Sequence, residues 1–318
     1  MPDTTLITGA AGFIGSHLTD HLLARGQRVV GLDNFCDFYD PQRKHANLAS
    51  AKAHDNFTLV TADLRDADAV QHAFAEHKPA TVVHLAAMAG VRPSIENPAL
   101  YAAVNVTGTV NILDAAVAYH TQRLIFASSS SVYGNNEKVP FAEADRVDHP
   151  ISPYAATKKA GELICHTYAH LYALPTTCLR FFTVFGPRQR PDLAIAKFLR
   201  LVAAGEPIPV FGDGSTSRDY TYIDDIIAGV TVAIETTTPA NPYRIYNLGN
   251  STPASLDELI TTIERVTGKA AKRAAQPMQP GDVARTWADL TLARRDLGYE
   301  PTTTLHEGIT QQWQATQP

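Results

Sequence analysis

The stretch TLITGAAGFIGSHL, residues 5–18, decides the fold. A short strand pattern, TLIT, runs into glycines at 9, 12 and 15. It continues as the amphipathic segment FIGSHLTDHLLARG, 13–26, which closes on Gly26. Glycines in this spacing between a strand and a helix have separate roles. Gly9 permits the tight turn, Gly12 lets backbone approach a pyrophosphate, and Gly15 lets helix and strand pack closely. The helix N-terminus then presents free N–H groups and a positive dipole end to the phosphates.

Outward from this turn the alternation repeats. RVVGLD (28–33), FTLVTADL (57–64), TVVHLAA (81–87), RLIFASSSS (123–131) and TTCLRFF (176–182) read as strands. Helical patterns separate them, among them a long one after Pro98 and PYAATKKAGELICHTYAHLY (153–172), with Pro at its start. Strands alternating with helices of this length imply right-handed crossovers. The expected fold class is α/β, a Rossmann-type doubly wound parallel sheet with a smaller mixed α/β C-terminal substrate-binding domain. Past residue 185 Pro and Gly become frequent and helices shorter. The expected division is 1–182 for the cofactor, with a return at 220–248 through DDIIAGVTVAIE (224–235), and 183–318 for the substrate. The polar connection from Asp33 to Phe57 has room for a short helix.

Composition narrows the function. The 318 residues are 45% hydrophobic and 19% charged, the balance of a globular protein. A net charge of −5 supplies no basic field for nucleic acid. No apolar run is expected to span a membrane, and the first residues lack signal-peptide regions. Three cysteines, Cys36, Cys165 and Cys178, have no metal spacing and read as reduced thiols in a cytoplasmic protein.

Asp33 ends the second strand, about twenty residues beyond the glycine turn, where a carboxylate accepts ribose hydroxyls and repels a 2′-phosphate. Asn34, not Arg, follows it, which favours NAD over NADP. Asp63, ending the third strand, is placed to bond the adenine amine or to cap a helix. His84 reads as a buried structural histidine. Tyr154 and Lys158 share one helix face. A nearby ammonium and a positive nicotinamide ring would draw the phenol from its usual pKa of about 10 toward neutrality. Ser129, in the serine run 128–131, ends a strand at the same edge and can share the proton. Which serine of the run acts stays open.

These residues make the chain resemble the extended short-chain dehydrogenases/reductases, the NAD-dependent epimerase/dehydratase family. The likeness rests on TGAAGFIGSH, LDN, AAMAGVRPS, SSSSVYG, the Tyr154/Lys158 pair, GDGSTSRDYTYIDD and PGDVARTWAD. LDNFCDFYDP, HPISPYAATKKAGEL, HLYALPTTCLRFFTVFGP and MQPGDV are similar to the UDP-glucuronate 4-epimerases within it. The resemblance implies oxidation at C4 of a UDP-sugar with NAD, rotation of the 4-keto sugar and reduction on its other face. Ser129, Tyr154 and Lys158 would be the catalytic set, with Ser130 against the substrate. Arg218 would hold the diphosphate, Phe211 would lie against the uracil and Asp282 near the nucleotide. Gln279 departs from the Arg of neutral-sugar relatives, and Arg285 is the expected replacement for its charge. A homodimer joined through helices 98–118 and 153–172 is also implied.

RFFTVFGPRQRPD, 180–192, addresses the choice of sugar. Arg180, inside a strand end, is read as structural. In the resembled uronate epimerases a Thr and an Arg at the positions of Thr183 and Arg190 hold the sugar carboxylate; Arg188 is the competing candidate. A UDP-glucose 4-epimerase, a uronate decarboxylase and a catalytically silent NAD-binding module are the alternatives. Decarboxylases carry Glu where this chain has Ser131, and dehydratases carry an Asp-Glu pair where it has Ser130 and Ser131.

Overall fold

The structure is a computed structural model and describes residues 3–278 and 281–317. Six strands follow the sequence pattern: β1 (Thr4–Thr8), β2 (Arg28–Asp33), β3 (Phe57–Thr61), β4 (Thr81–His84), β5 (Arg123–Ser129) and β6 (Thr176–Phe181). Tyr243–Leu248 joins them outside β6, completing a seven-stranded sheet. Its order is Tyr243–Leu248, β6, β5, β4, β1, β2, β3, and every pairing is parallel. The winding direction reverses between β1 and β4, so a crevice opens at their carboxyl ends.

Period-two alternation sends successive strand residues to opposite faces. Ile7, Val29, Val83 and Ile125 meet helices Phe13–Ala24 and Ile223–Thr236 on one face. Leu6, Val30, Val82 and Leu124 meet Ala67–His77, Gly108–Ala118 and Pro153–Tyr172 on the other. All eight strand residues are at most 1% exposed. Neither face can therefore lose its helices without uncovering core, which is why the strands read as continuous apolar runs.

Three sequence expectations are refined. The connection after Asp33 holds two short helices, Pro41–Asn47 and Ala49–Lys52. The long helix after Pro98 contains a π-helical turn, Ala103–Thr107, between Pro98–Ala102 and Gly108–Ala118. Against the expectation that no run is long and apolar enough to span a membrane, Pro98–Ala118 meets that test by length and composition. Its apolar content has a packing reason: 44% of the apolar window is buried, and it packs on helix Pro153–Tyr172.

Beyond β6 the chain builds the cap. Thr183–Phe185 pairs with Tyr220–Tyr222, Pro207–Phe211 with Lys272–Gln276, and Ser217–Arg218 with Ala254–Ser255. Helices Leu256–Thr267 and Leu305–Gln314 each begin with a capping box, Ser255/Glu258 and Thr304/Glu307. Buried Asp219 holds the cap together by accepting the N–H groups of Asn250, Ser251 and Ala288 at 2.7–3.0 Å.

Candidate active site

Gly9 adopts φ +72°, and a Cβ there would stand 2.9 Å from the Ala86 backbone. On Gly15 it would stand 2.1 Å from the Gly9 carbonyl oxygen. Gly12 begins helix Phe13–Ala24 with no side-chain cap and no acidic residue in the first turn. The result is an uncovered helix N-terminus aimed at the crevice, with backbone as its surface, the cradle a pyrophosphate requires. Asp33 closes the adjoining corner. Its carboxylate accepts the N–H of Ala11 at 3.1 Å and of Phe35 at 2.8 Å, so it is oriented on both sides. Asn34 donates to Asp63 at 2.9 Å and Arg65 holds Asp63 through two bonds of 2.8 and 2.9 Å. The Arg65 bonds keep the Asp63 carboxyl well below the usual range. These residues fit a dinucleotide with a free adenosine ribose.

The serine run separates by strand alternation. Ser128 points into the protein and donates to Glu162 at 2.6 Å. Ser129 accepts the Ser131 N–H at 3.1 Å and lies close enough to Tyr154 to favour its ionised form. Ser130 and Ser131 line a cavity. Under the run, Arg180, 1% exposed, grips Glu162 with bonds of 2.8 and 2.9 Å and Tyr133 with one of 3.0 Å. Burial pushes the Glu162 carboxyl up, but Arg180 and Ser128 outweigh it and hold it below the usual range. Arg180 thus has the structural place expected of it.

Ser152 caps helix Pro153–Tyr172 through the Ala155 N–H. Gly161 lets this helix lie on β5, since a Cβ there would meet the Phe126 ring at 2.3 Å. Lys158, 5% exposed, donates to the Ala127 carbonyl at 2.7 Å and lies 5.2 Å from the Phe126 ring centre. Burial lowers its pKa to about 8. Tyr154 differs from its expectation: burial raises its pKa, opposed by the Ser129 hydroxyl and the Arg190 charge. His84 is a buried structural histidine, bonded to Thr8 at 2.7 Å and Thr109 at 3.0 Å, with its pKa lowered to about 3 by burial and by Lys158.

The cavity, about 120 Å³ and open to solvent, runs from Ser130, Ser131 and Thr183 to Arg218 and Asp282. Arg218 donates to the Ser217 carbonyl at 2.9 Å, and burial lowers its pKa. Asp282 is paired at 2.7 Å with Arg92, whose guanidinium lies 4.7 Å from the Phe211 ring centre. Phe211 thus joins the site through Arg92 and does not line the cavity. Arg285 donates to the Glu137 carbonyl at 3.0 Å, and Gln279 lies outside the described residues. Arg188, at φ +61°, turns away to Asp20 at 2.7 Å. Arg190 lies outside the cavity lining, yet its charge acts on Tyr154 and Tyr101.

Sequence reading missed Arg92 and Asn105. Asn105, in the π turn, bonds both backbone groups of Met88, at 2.8 and 2.9 Å, and Thr157 at 3.0 Å. It ties the segment after β4 to helix Pro153–Tyr172. AAMAGVRPS stands out as a motif, but no local pattern marks the partners of these two residues.

The GDP-mannose 4,6 dehydratase family model matches residues 6–312. A probable UDP-glucuronate 4-epimerase of Rhizobium meliloti is 42% identical, covering 96% of this chain and 94% of its own length. UDP-glucuronate 4-epimerase 3 of Arabidopsis thaliana is 46% identical over 96% of this chain and 74% of its own. The crystal structure of UDP-glucuronic acid 4-epimerase from Bacillus cereus, in complex with UDP-glucuronic acid and NAD, superposes with a TM-score of 0.92. That protein is 36% identical, with 98% of each chain covered. By its glycine cradle, its parallel sheet and these relatives, the chain belongs to the NAD-dependent epimerase/dehydratase family of extended short-chain dehydrogenases/reductases.

Proposed function

We propose that the chain is an NAD-dependent UDP-glucuronate 4-epimerase, interconverting UDP-glucuronate and UDP-galacturonate. The observation that carries this reading is the cavity lined by Ser130, Ser131, Thr183 and Arg218, which reaches Ser152 at the start of the helix bearing Tyr154 and Lys158. Residues 1–182, with the return at 220–248, carry the cofactor, and 183–318 the nucleotide sugar. NAD, when bound, supplies the hydride acceptor and donor for C4. Gly9, Gly12 and Gly15 hold its pyrophosphate, Asp33 its ribose and Asp63 its adenine.

Tyr154 takes the proton of the 4-hydroxyl and returns it after the sugar has turned. Ser129 orients that hydroxyl, and Lys158 supplies positive charge beneath the site and holds the nicotinamide ribose. Ser130 and Thr183 contact the sugar, with Thr183 and Arg190 clamping its carboxylate. Arg218 holds the diphosphate, Phe211 and Asp282 the nucleoside end. The clamp also protects the intermediate, because a 4-keto uronate loses carbon dioxide when its carboxylate bond stands perpendicular to the carbonyl plane. Dehydration needs an acid/base pair beside the catalytic serine, where this chain presents the hydroxyls of Ser130 and Ser131 to the cavity. Leu163, Leu171 and Tyr172, exposed on the catalytic helix, support a homodimer through this helix and Pro98–Ala118. The unpaired cysteines Cys36, Cys165 and Cys178 support the reading of a cytoplasmic location.

Proton NMR of the protein incubated with UDP-glucuronate, beside UDP-glucose, tests the reading. UDP-galacturonate without pentose signals is expected. A UDP-pentose would mean decarboxylation, and turnover of UDP-glucose alone would leave the arginines to phosphate.

A further inference from the structure

The segment NFCDFYDP, 34–41, has no role in the proposed reaction, although it begins at the cofactor corner. Asp33 anchors it through the Phe35 N–H, and the segment then crosses toward the cap. There the Phe38 ring lies against the Arg190 guanidinium, 4.7 Å from ring centre to guanidinium carbon. Asp192 takes the side edge of the same group, from Nε at 3.0 Å and Nη2 at 2.7 Å. Gly90 closes the approach: a Cβ there would be 3.8 Å from Nη2.

A guanidinium on a flexible stem must have two orientations set before it can meet a carboxylate. A ring on its face sets its plane, and a carboxylate on its Nε edge sets its rotation within that plane. Arg190 has both, and its side chain is 15% exposed although Asp192 is 48% exposed. Among the described residues the Nη1 corner has no hydrogen-bond partner. Among the described residues Arg188 has no ring on its face, and it is bound to Asp20.

We propose that Phe38 is a positioning residue for uronate recognition: its ring sets the plane of Arg190 so that the Nη1 corner meets the sugar carboxylate. The proposal rests on the reading of Arg190 as the carboxylate clamp. It joins the two sites through one short segment, with Asp33 at the cofactor end and Phe38 at the substrate end.

The test compares F38L, F38Y and R190M in the full chain with NAD. KM and kcat are measured on UDP-glucuronate by NMR, and Kd for UDP-glucose and for NAD by calorimetry. F38L is expected to raise the uronate KM about fivefold, the size of a partly desolvated cation–π contact, with kcat nearly unchanged. F38Y, which keeps the ring face, restores KM, and neither Kd moves. An unchanged uronate KM, an equal loss of UDP-glucose affinity, or weakened NAD binding overturns the proposal. R190M separates the two levels. If it causes no uronate-specific loss, the clamp itself fails. If it does so while F38L has no effect, only the role of Phe38 fails. Should F38L not fold, F38M fills the space without a ring face and carries the same test.

Discussion

Lys158 on the sheet wall and three arginines around the cleft hold positive charge in opposite ways. On the sheet wall Lys158 is buried with a carbonyl oxygen as its partner, and its pKa falls to about 8. Around the cleft Arg188, Arg190 and Arg92 each lie beside a carboxylate, Asp20, Asp192 and Asp282, whereas Arg218 in the cap shares the carbonyl partner and lowered pKa of Lys158. A buried cation without a counter-charge is costly and responds by changing its proton affinity. A cation with a carboxylate keeps its charge and yields only to a competing anion. The sheet wall is therefore suited to moving protons, and the three paired arginines to choosing among anions.

The largest effect should come from Tyr154. Y154F should lower kcat about a thousandfold while Kd for UDP-glucuronate changes little, as NMR initial rates and calorimetry would report. An equal loss of affinity would break the division between the sheet wall and the paired arginines. K158M should cost about a hundredfold and alter the pH profile. Lysine loses its proton as pH rises through about 8, so the wild-type rate should fall there, and that alkaline limb should vanish in K158M. R190M should lower kcat/KM on UDP-glucuronate about tenfold to a hundredfold, the worth of a charge-assisted bond. UDP-glucose affinity should be spared. R188M should stay within about threefold, since Asp20 occupies that guanidinium.

The smallest effect concerns stability on the sheet wall. His84 titrates at about 3 in the folded chain against an ordinary value of 6.5. Below 6.5 the unfolded chain binds a proton that the folded chain refuses, so stability falls as pH drops from 6.5 toward 3. At pH 5.5 the loss should be about 1 kcal/mol. Urea unfolding at pH 7 and 5.5 measures it, and H84N should lose this component of the pH dependence.

The sheet-wall residues were legible because they obey short-range rules. The glycine spacing, the i,i+4 placement of Tyr154 and Lys158, and the alternation of strand residues all follow from backbone periods. The direction of the Tyr154 shift was not legible, because it depends on whether desolvation exceeds nearby charge. Only the folded environment sets that balance. The same holds for the helix after Pro98, whose apolar content alone does not distinguish a core helix from a membrane span.

The sequence by itself determined the doubly wound sheet, the cofactor cradle and the identity of the residues available for chemistry, since each is encoded within one turn or one strand. Tertiary structure alone decided their partners. Strand register turned Ser128 to Glu162 and Ser129 to Tyr154. A left-handed backbone at Arg188 directed it to Asp20, leaving Arg190 between Phe38 and Asp192. Arg92 reached Phe211 and Asp282 across the cleft. Most of these pairings join residues distant along the chain, and their energies depend on the burial and charge that folding creates.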